Sequence, residues 1–305
     1  MGVPGKVWIF LAVGLVAASQ SGNIIRIGDA HPLAIAAWRL LIAAVLFAPL
    51  AGRRLGQLAG LTWKDRALLA LAGLTLALHF VAWIAAVQMT TVANAAVVFA
   101  INPVLTAIAA WLIFRERVSG RLAVAIALGL AGVALLGWSN LSFEPGRVSG
   151  DGAALLCSAL FTAYFLLGKR LRNTLDTTVY VTALYGSAAA CCFAGMAILD
   201  LPLVDYDGRT WLCFALMALV PTMIGHTSFN NAVRWIPAGR IATLTLSEPM
   251  LAGVVAYFAW GEAMTGGLLA GYVLICASVL VVALERRNKG PGDGPAVVYP
   301  GGETG

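Results

Sequence analysis

Charge is what this sequence has least of. Lys, Arg, Asp and Glu make up 11% of its 305 residues against 60% hydrophobic residues, a balance that excludes an ordinary soluble domain, where about 25% is charged. Histidine is scarce too: there are three, none at metal-ligand spacing and none in a His-Glu-x-x-His pattern, which excludes a zinc-peptidase centre. Five cysteines (Cys157, Cys191, Cys192, Cys213 and Cys276) are odd in number and scattered through apolar runs. They make neither a disulfide framework nor a metal site and read as small buried hydrophobes. No Asp lies inside an apolar run, so an intramembrane aspartyl dyad is excluded, and no phosphate-binding loop is present to support ATP drive. No cofactor or metal is expected.

What the chain has in quantity is long apolar runs. Reading between charge clusters gives ten, at 7–25, 33–50, 67–87, 92–113, 121–138, 152–168, 177–199, 211–231, 239–260 and 267–284. Each is long enough to cross a hydrocarbon core of about 30 Å as a helix. Such runs must satisfy their own backbone polar groups, which rules out barrel strands. The fold class expected is an all-α membrane protein of ten transmembrane helices. The first run has only Lys6 before it and nine runs after it, and is expected to be a span rather than a cleaved signal.

The net charge of +6 does not point to nucleic acid, because the basic residues sort by loop. One side of a ten-span chain holds sixteen of the twenty: Lys6, Arg53, Arg54, Lys64, Arg66, Arg115, Arg117, Arg121, Lys169, Arg170, Arg172, Arg234, Arg240, Arg286, Arg287 and Lys289. The other side holds Arg26, Arg147 and Arg209 with most of the loop acids, and Arg39 lies inside a span. The excess of Lys and Arg marks the cytoplasmic face and puts both termini there.

The chain also repeats itself. Residues 102–121 and 248–267 align at one offset of 146 residues (249 − 103), which matches Pro103 with Pro249, Trp111 with Tyr257, Glu116 with Glu262, Ser119 with Thr265 and Gly120 with Gly266. Five spans per unit is an odd number, so the second unit enters the membrane from the opposite side. The expected organisation is 1–138 as the first repeat, 139–150 as a periplasmic connector, 151–287 as the inverted second repeat and 288–305 as a disordered cytoplasmic tail.

These features, with Gly22-Asn23, Ala36-Ala37-Trp38-Arg39-Leu40-Leu41, the Asn-Pro-Val-Leu at 102–105, Arg115-Glu116-Arg117-Val118-Ser119, Phe161-Thr162-Ala163-Tyr164 and Glu248-Pro249, resemble the EamA family of the drug/metabolite transporter superfamily. Within it the chain is most similar to the aromatic amino-acid exporters of bacterial inner membranes (the YddG type). The resemblance implies export of small metabolites, often amino acids, with helices one, three, four, six, eight and nine around a central cavity.

Polar side chains inside spans are costly unless they face a partner or a wet cavity, and so mark the candidate pathway. The candidate substrate site comprises Gln20, Asn23, His79, Trp83, Phe99, Asn102, Tyr164, His226, Asn230, Ser247 and Glu248, with Pro103 and Pro249 as helix hinges. Glu248 is the sharpest: it would bind a substrate amino group, exchange a proton, pair with Arg39, or serve structurally as a protonated hydrogen-bond donor. The pairs His79/Trp83 and His226/Asn230 are each four apart and share a helix face, although a lone histidine is more often a bond between helices. Trp83, Phe99, Phe161, Tyr164, Phe229 and Tyr257 would supply an aromatic wall.

Arg39 would hold a carboxylate, but its shallow depth favours a structural role. Glu116 and Glu262 are expected to fix turns beside Ser119 and Thr265, and Gly267 and Gly271 to pack helices closely. The partners expected are a small-molecule substrate and membrane lipid, with no nucleic acid and a monomer or weak homodimer. An intramembrane enzyme acting on a lipid or small amphipathic substrate is the alternative. A channel is disfavoured, since no polar stripe runs the length of a span.

Overall fold

The structure is a computed structural model that describes residues 3–138, 148–260 and 266–284. Glu262, Thr265, the 139–147 part of the connector and the tail 288–305 lie outside the described residues. Ten apolar helical spans are present: Gly5–Ile25, Pro32–Leu58, Trp63–Met89, Val92–Phe114, Gly120–Gly137, Val148–Leu167, Thr177–Ile198, Gly208–Ala232, Ala238–Ala259 and Gly266–Leu284. Each coincides with one predicted run, and no strand occurs among the described residues.

Short polar side chains start the helices by accepting orphan N–H groups. Thr62 accepts from Asp65 N–H at 3.2 Å, Thr91 from Asn94 at 3.1 Å and Ser119 from Leu122 at 3.0 Å. Asp176 accepts from Thr178 at 2.9 Å and Asp207 from Thr210 at 2.8 Å. Pro32 opens span two, where its missing N–H costs nothing.

Four spans are interrupted within the bundle. Span one changes course at Gln20, span four at Ala100 and Ile101, span eight winds as a π-helix over Ala218–His226, and span nine tightens to a 3-10 turn over Thr245–Ser247. Proline explains three of them, because it cannot bond the carbonyl four residues back and crowds it. In lipid that carbonyl must find another donor. Phe99 O, freed by Pro103, accepts from the Ser158 hydroxyl at 3.3 Å. Met217 O, freed by Pro221, accepts from the Thr222 hydroxyl at 2.8 Å. Thr245 O, freed by Pro249, accepts the Glu248 N–H.

Packing is pairwise. Span seven runs along span two, span six along span three, span ten along span five, and span eight along span one. Spans five and ten approach most closely where two glycines meet: a Cβ added at Gly132 would lie 2.8 Å from Gly271 O, and one added at Gly271 would lie 2.8 Å from Gly132 O. Gly267 touches nothing in this way, so only Gly271 of the expected pair serves helix packing here. Gly271→Val should therefore lower thermal stability in detergent by about 1–3 kcal/mol, the usual cost of overpacking. Gly267→Val should leave the melting temperature within a degree or two, and equal losses in both variants would refute the contact.

Candidate functional site

The breaks in spans one, four and nine and the π-helical stretch of span eight surround a cavity of about 800 Å³ of unfilled space, counting the part continuous with its opening. Seven of its lining side chains are rings: Phe80, Trp83, Phe99, Phe161 and Phe229, with the imidazoles of His79 and His226. The rings pack edge to face, Phe80 on His226 at 4.7 Å, His79 on Phe161 at 5.3 Å, Trp83 on Phe99 at 5.7 Å and Phe99 on Phe161 at 5.9 Å between centroids. Such contacts fix the rings in place and leave an apolar face toward the cavity.

Polar groups are few and individually held. His79 Nδ1–H donates to the Cys157 carbonyl at 3.0 Å, which leaves Nε2 as the acceptor of the neutral ring. His226 Nδ1 shares a hydrogen bond with the Tyr164 hydroxyl at 3.1 Å. Trp83 Nε1–H donates to Ser21 Oγ at 3.1 Å. Glu248 lines the cavity from span nine, and its carboxylate makes no hydrogen bond or ion pair with the described residues. Facing the same space, Arg39 comes from span two, a helix the resemblance did not include in the wall.

Of the eleven candidates, His79, Trp83, Phe99, His226 and Glu248 line this cavity, as do both prolines, Pro103 and Pro249. The other six lie outside its lining, each with a visible occupation. Gln20 and Asn23 bond to each other at 3.0 Å, and Asn23 reaches the Ala252 carbonyl at 3.2 Å. Asn102 donates to Ser158 O at 3.1 Å and to Thr162 Oγ1 at 3.2 Å, tying span four to span six. Tyr164 sits behind His226, and Ser247 bonds its own helix at Leu244 O, 2.7 Å away. Asn230 accepts from Arg172 Nη1 at 2.5 Å. Tyr257, from the expected aromatic wall, is 43% exposed on the outside of the bundle.

Arg172, counted among the basic residues of the cytoplasmic face, is 1% exposed. Besides Asn230 it donates to the Phe165 carbonyl and lies 4.8 Å from the Phe165 ring. It belongs to a set of ties at the basic end of the bundle. Lys169 pairs with Glu116, Arg234 donates to the Leu175 carbonyl, and Arg54 pairs with Asp176 at 3.0 Å. Partial burial alone would raise the Asp176 carboxyl. The Thr178 hydroxyl and N–H, with Arg54 and Arg234 nearby, instead hold it below the usual carboxylate range. None of these residues lines the cavity, whose wall reaches toward the opposite end at Gly22 and Val92.

Sequence reasoning named Arg39 but set it aside. Its signal was plain: it is the one Lys or Arg in the interior of a predicted span, Arg121 and Arg240 lying at span ends. Phe80 and Ser21 carried no comparable signal, being ordinary residues in an apolar run.

Ten apolar spans around a central cavity make this a multi-pass membrane protein. The EamA-like transporter family matches residues 4–138 and again 148–284, and the chain belongs to that family. It is 33% identical to an "Uncharacterized transporter" of Archaeoglobus fulgidus over 72% of this chain and 77% of that protein. It is 27% identical to the "Uncharacterized transporter YwfM" of Bacillus subtilis over 86% and 87%. A Salmonella typhimurium protein named "Probable amino-acid metabolite efflux pump" is 24% identical over 58% of this chain and 62% of its own length. A solved crystal structure shares the fold with a TM-score of 0.77 at 20% identity, covering 92% of this chain and 98% of that one.

The two environments of the histidine pair's helices separate by mutation. Asn230→Ala leaves a charged Arg172 donor unsatisfied and should cost about 1–3 kcal/mol of stability, with substrate KM unchanged in transport assays. Trp83→Ala, which removes a cavity-lining ring, should raise KM. A raised KM in Asn230→Ala at unchanged stability would place Asn230 in the pathway after all.

Proposed function

We propose that this chain is a secondary transporter that exports small metabolites, most suitably amino acids including aromatic ones, across the bacterial inner membrane by alternating access. The observation that carries the reading is a central cavity whose aromatic wall is interrupted by one unpaired carboxylate, Glu248, at the break of span nine. The rings offer stacking surface to an apolar or aromatic side chain. The carboxylate offers a charge-assisted bond to an amino group. The name of the Salmonella relative and the resemblance to aromatic amino-acid exporters agree with this choice of substrate.

Alternating access rests on two units of opposite orientation, 1–138 and 151–287. Two observations support it. The family matches twice along the chain. The neighbour pairs also exchange when each span is moved on by five: three with six becomes eight with one, while two with seven and five with ten map onto themselves. With the basic end in the cytoplasm, the ties there close the cavity to the inside, and its wall extends toward the outside.

Counterflow of labelled phenylalanine into liposomes holding only this protein should show exchange without chemical change; conversion of the label would instead support the enzyme. Glu248→Gln should raise KM at least tenfold, consistent with the loss of a charge-assisted hydrogen bond of about 1.5–3 kcal/mol. Retained transport that no longer depends on pH would assign proton coupling to Glu248. Reporter tags near Glu116 and Glu262 should emerge on opposite sides of the membrane, and emergence on one side would remove the inverted arrangement.

A further inference from the structure

We propose that Arg39 is the carboxylate anchor of the substrate site and that, opposite Glu248, it makes the cavity selective for zwitterionic amino acids over amines, amides and simple acids. The inference rests on the transport reading above and deepens it.

The argument begins with how Arg39 is held. Its Nε–H donates to Thr222 Oγ1 at 2.8 Å, and that hydroxyl in turn donates to Met217 O, the carbonyl that Pro221 frees, at 2.8 Å. Its guanidinium carbon lies 3.8 Å from the centroid of the Phe80 ring. These two contacts fix the plane of the guanidinium and the direction in which it faces. They also meet any purely structural need that the π-helical stretch has for a donor, and Nε alone meets it.

Both terminal nitrogens, Nη1 and Nη2, are buried and have no hydrogen-bond partner in the protein. The residue as a whole is 1% exposed, yet it lines the cavity. A guanidinium presents its donors as a fixed fork that matches the two oxygens of a carboxylate. An arginine serving only as a helix-to-helix link would spend that fork on carbonyls or an acid, as Arg172 spends its own on Asn230 and the Phe165 carbonyl. Arg39 does not. Leaving a buried charge unmatched in a membrane protein is costly, and a charge so placed points to a ligand.

The second half of the argument is the charge of the cavity as a whole. Among its described lining residues Arg39 is the one fixed cation and Glu248 the one acid, and the two are not ion-paired. A cavity with one separated charge of each sign complements a molecule with one separated charge of each sign. A lone amine would leave Arg39 unmatched, and a lone acid would leave Glu248 so. The rings that line the same cavity, Phe80, Trp83, Phe99 and Phe161, are suited to an apolar or aromatic side chain. The substrate class that meets all three demands is an α-amino acid with such a side chain.

The test uses the full chain in liposomes, with labelled L-phenylalanine as the exchanged probe. The competitors are unlabelled L-phenylalanine, L-phenylalaninamide, phenethylamine and 3-phenylpropionate. In the wild type L-phenylalanine should compete at least tenfold better than each of the other three. In Arg39→Gln the KM for L-phenylalanine should rise at least tenfold and its advantage over the amide should fall to within threefold. Arg39→Lys, which keeps the charge and loses the fork, should fall between. If Arg39→Gln does not fold, the wild-type competition together with Arg39→Lys decides the matter. An amide that competes as well as the amino acid, or a preference that survives in Arg39→Gln, would overturn the assignment to Arg39 and leave the transport reading standing. Failure of the wild type to exchange any amino acid would overturn the transport reading, and this inference with it.

Discussion

The constraint on which the structure depends is that a carbonyl released inside a lipid-embedded bundle has to be re-bonded by the protein. Prolines at 103, 221 and 249 each release one, and each release is met by a different device: a serine on a neighbouring span, a threonine on the next residue, and a tightened turn. These repairs allow three spans to deviate from a straight helix near the middle of the bundle. A cavity follows because bent helices cannot fill the centre as straight ones would. The same repairs order its wall, since Ser158 bonds the carbonyl of the lining residue Phe99 and Thr222 orients Arg39.

The spans were legible in the sequence because hydropathy alone decides them. A run of apolar residues bounded by charges has one stable form in lipid, and the predicted and observed boundaries differ by a few residues, most at span two. There a 3-10 turn over Gly52–Leu58 extends the helix past the apolar run. Caps such as Ser119 were legible too, because the hydroxyl is next to the N–H it accepts.

The site was legible only in part. A polar residue in an apolar run announces that it needs a partner, and the sequence does not say whether that partner is protein or cargo. Asn102, Asn230 and Ser247 found protein partners, whereas Glu248 and the Arg39 fork did not. Arg172 shows the converse. Its place in a run of basic residues sorts it to the cytoplasmic face, and Asn230 and the Phe165 carbonyl, four or more residues away in sequence or on another span, provide a buried seat that no local pattern reveals. Helical spacing did identify His79 with Trp83, because four residues along one helix always share a face.

The ties at the basic end differ in kind, and the difference bears on which of them would control an alternating cycle. Arg54 and Asp176 are 53% and 32% exposed at their side chains, and such a pair contributes about 0–1 kcal/mol. Lys169 and Glu116 are about one-fifth to one-quarter exposed and sit against Phe114, which makes their pair less screened yet still within reach of water. Arg172 is different, because moving it means taking a buried cation from Asn230 and the Phe165 carbonyl at once. Breaking a buried charged contact typically costs about 3–5 kcal/mol unless water or another partner replaces it. On the alternating-access reading, the surface pairs therefore set the register of the closed end, and the seat of Arg172 sets most of the cost of opening it. Substrate contacts that differ between the two states would have to offset that cost, which is a demand on Glu248 and Arg39 rather than on the aromatic wall, whose stacking changes little with a small shift of the helices.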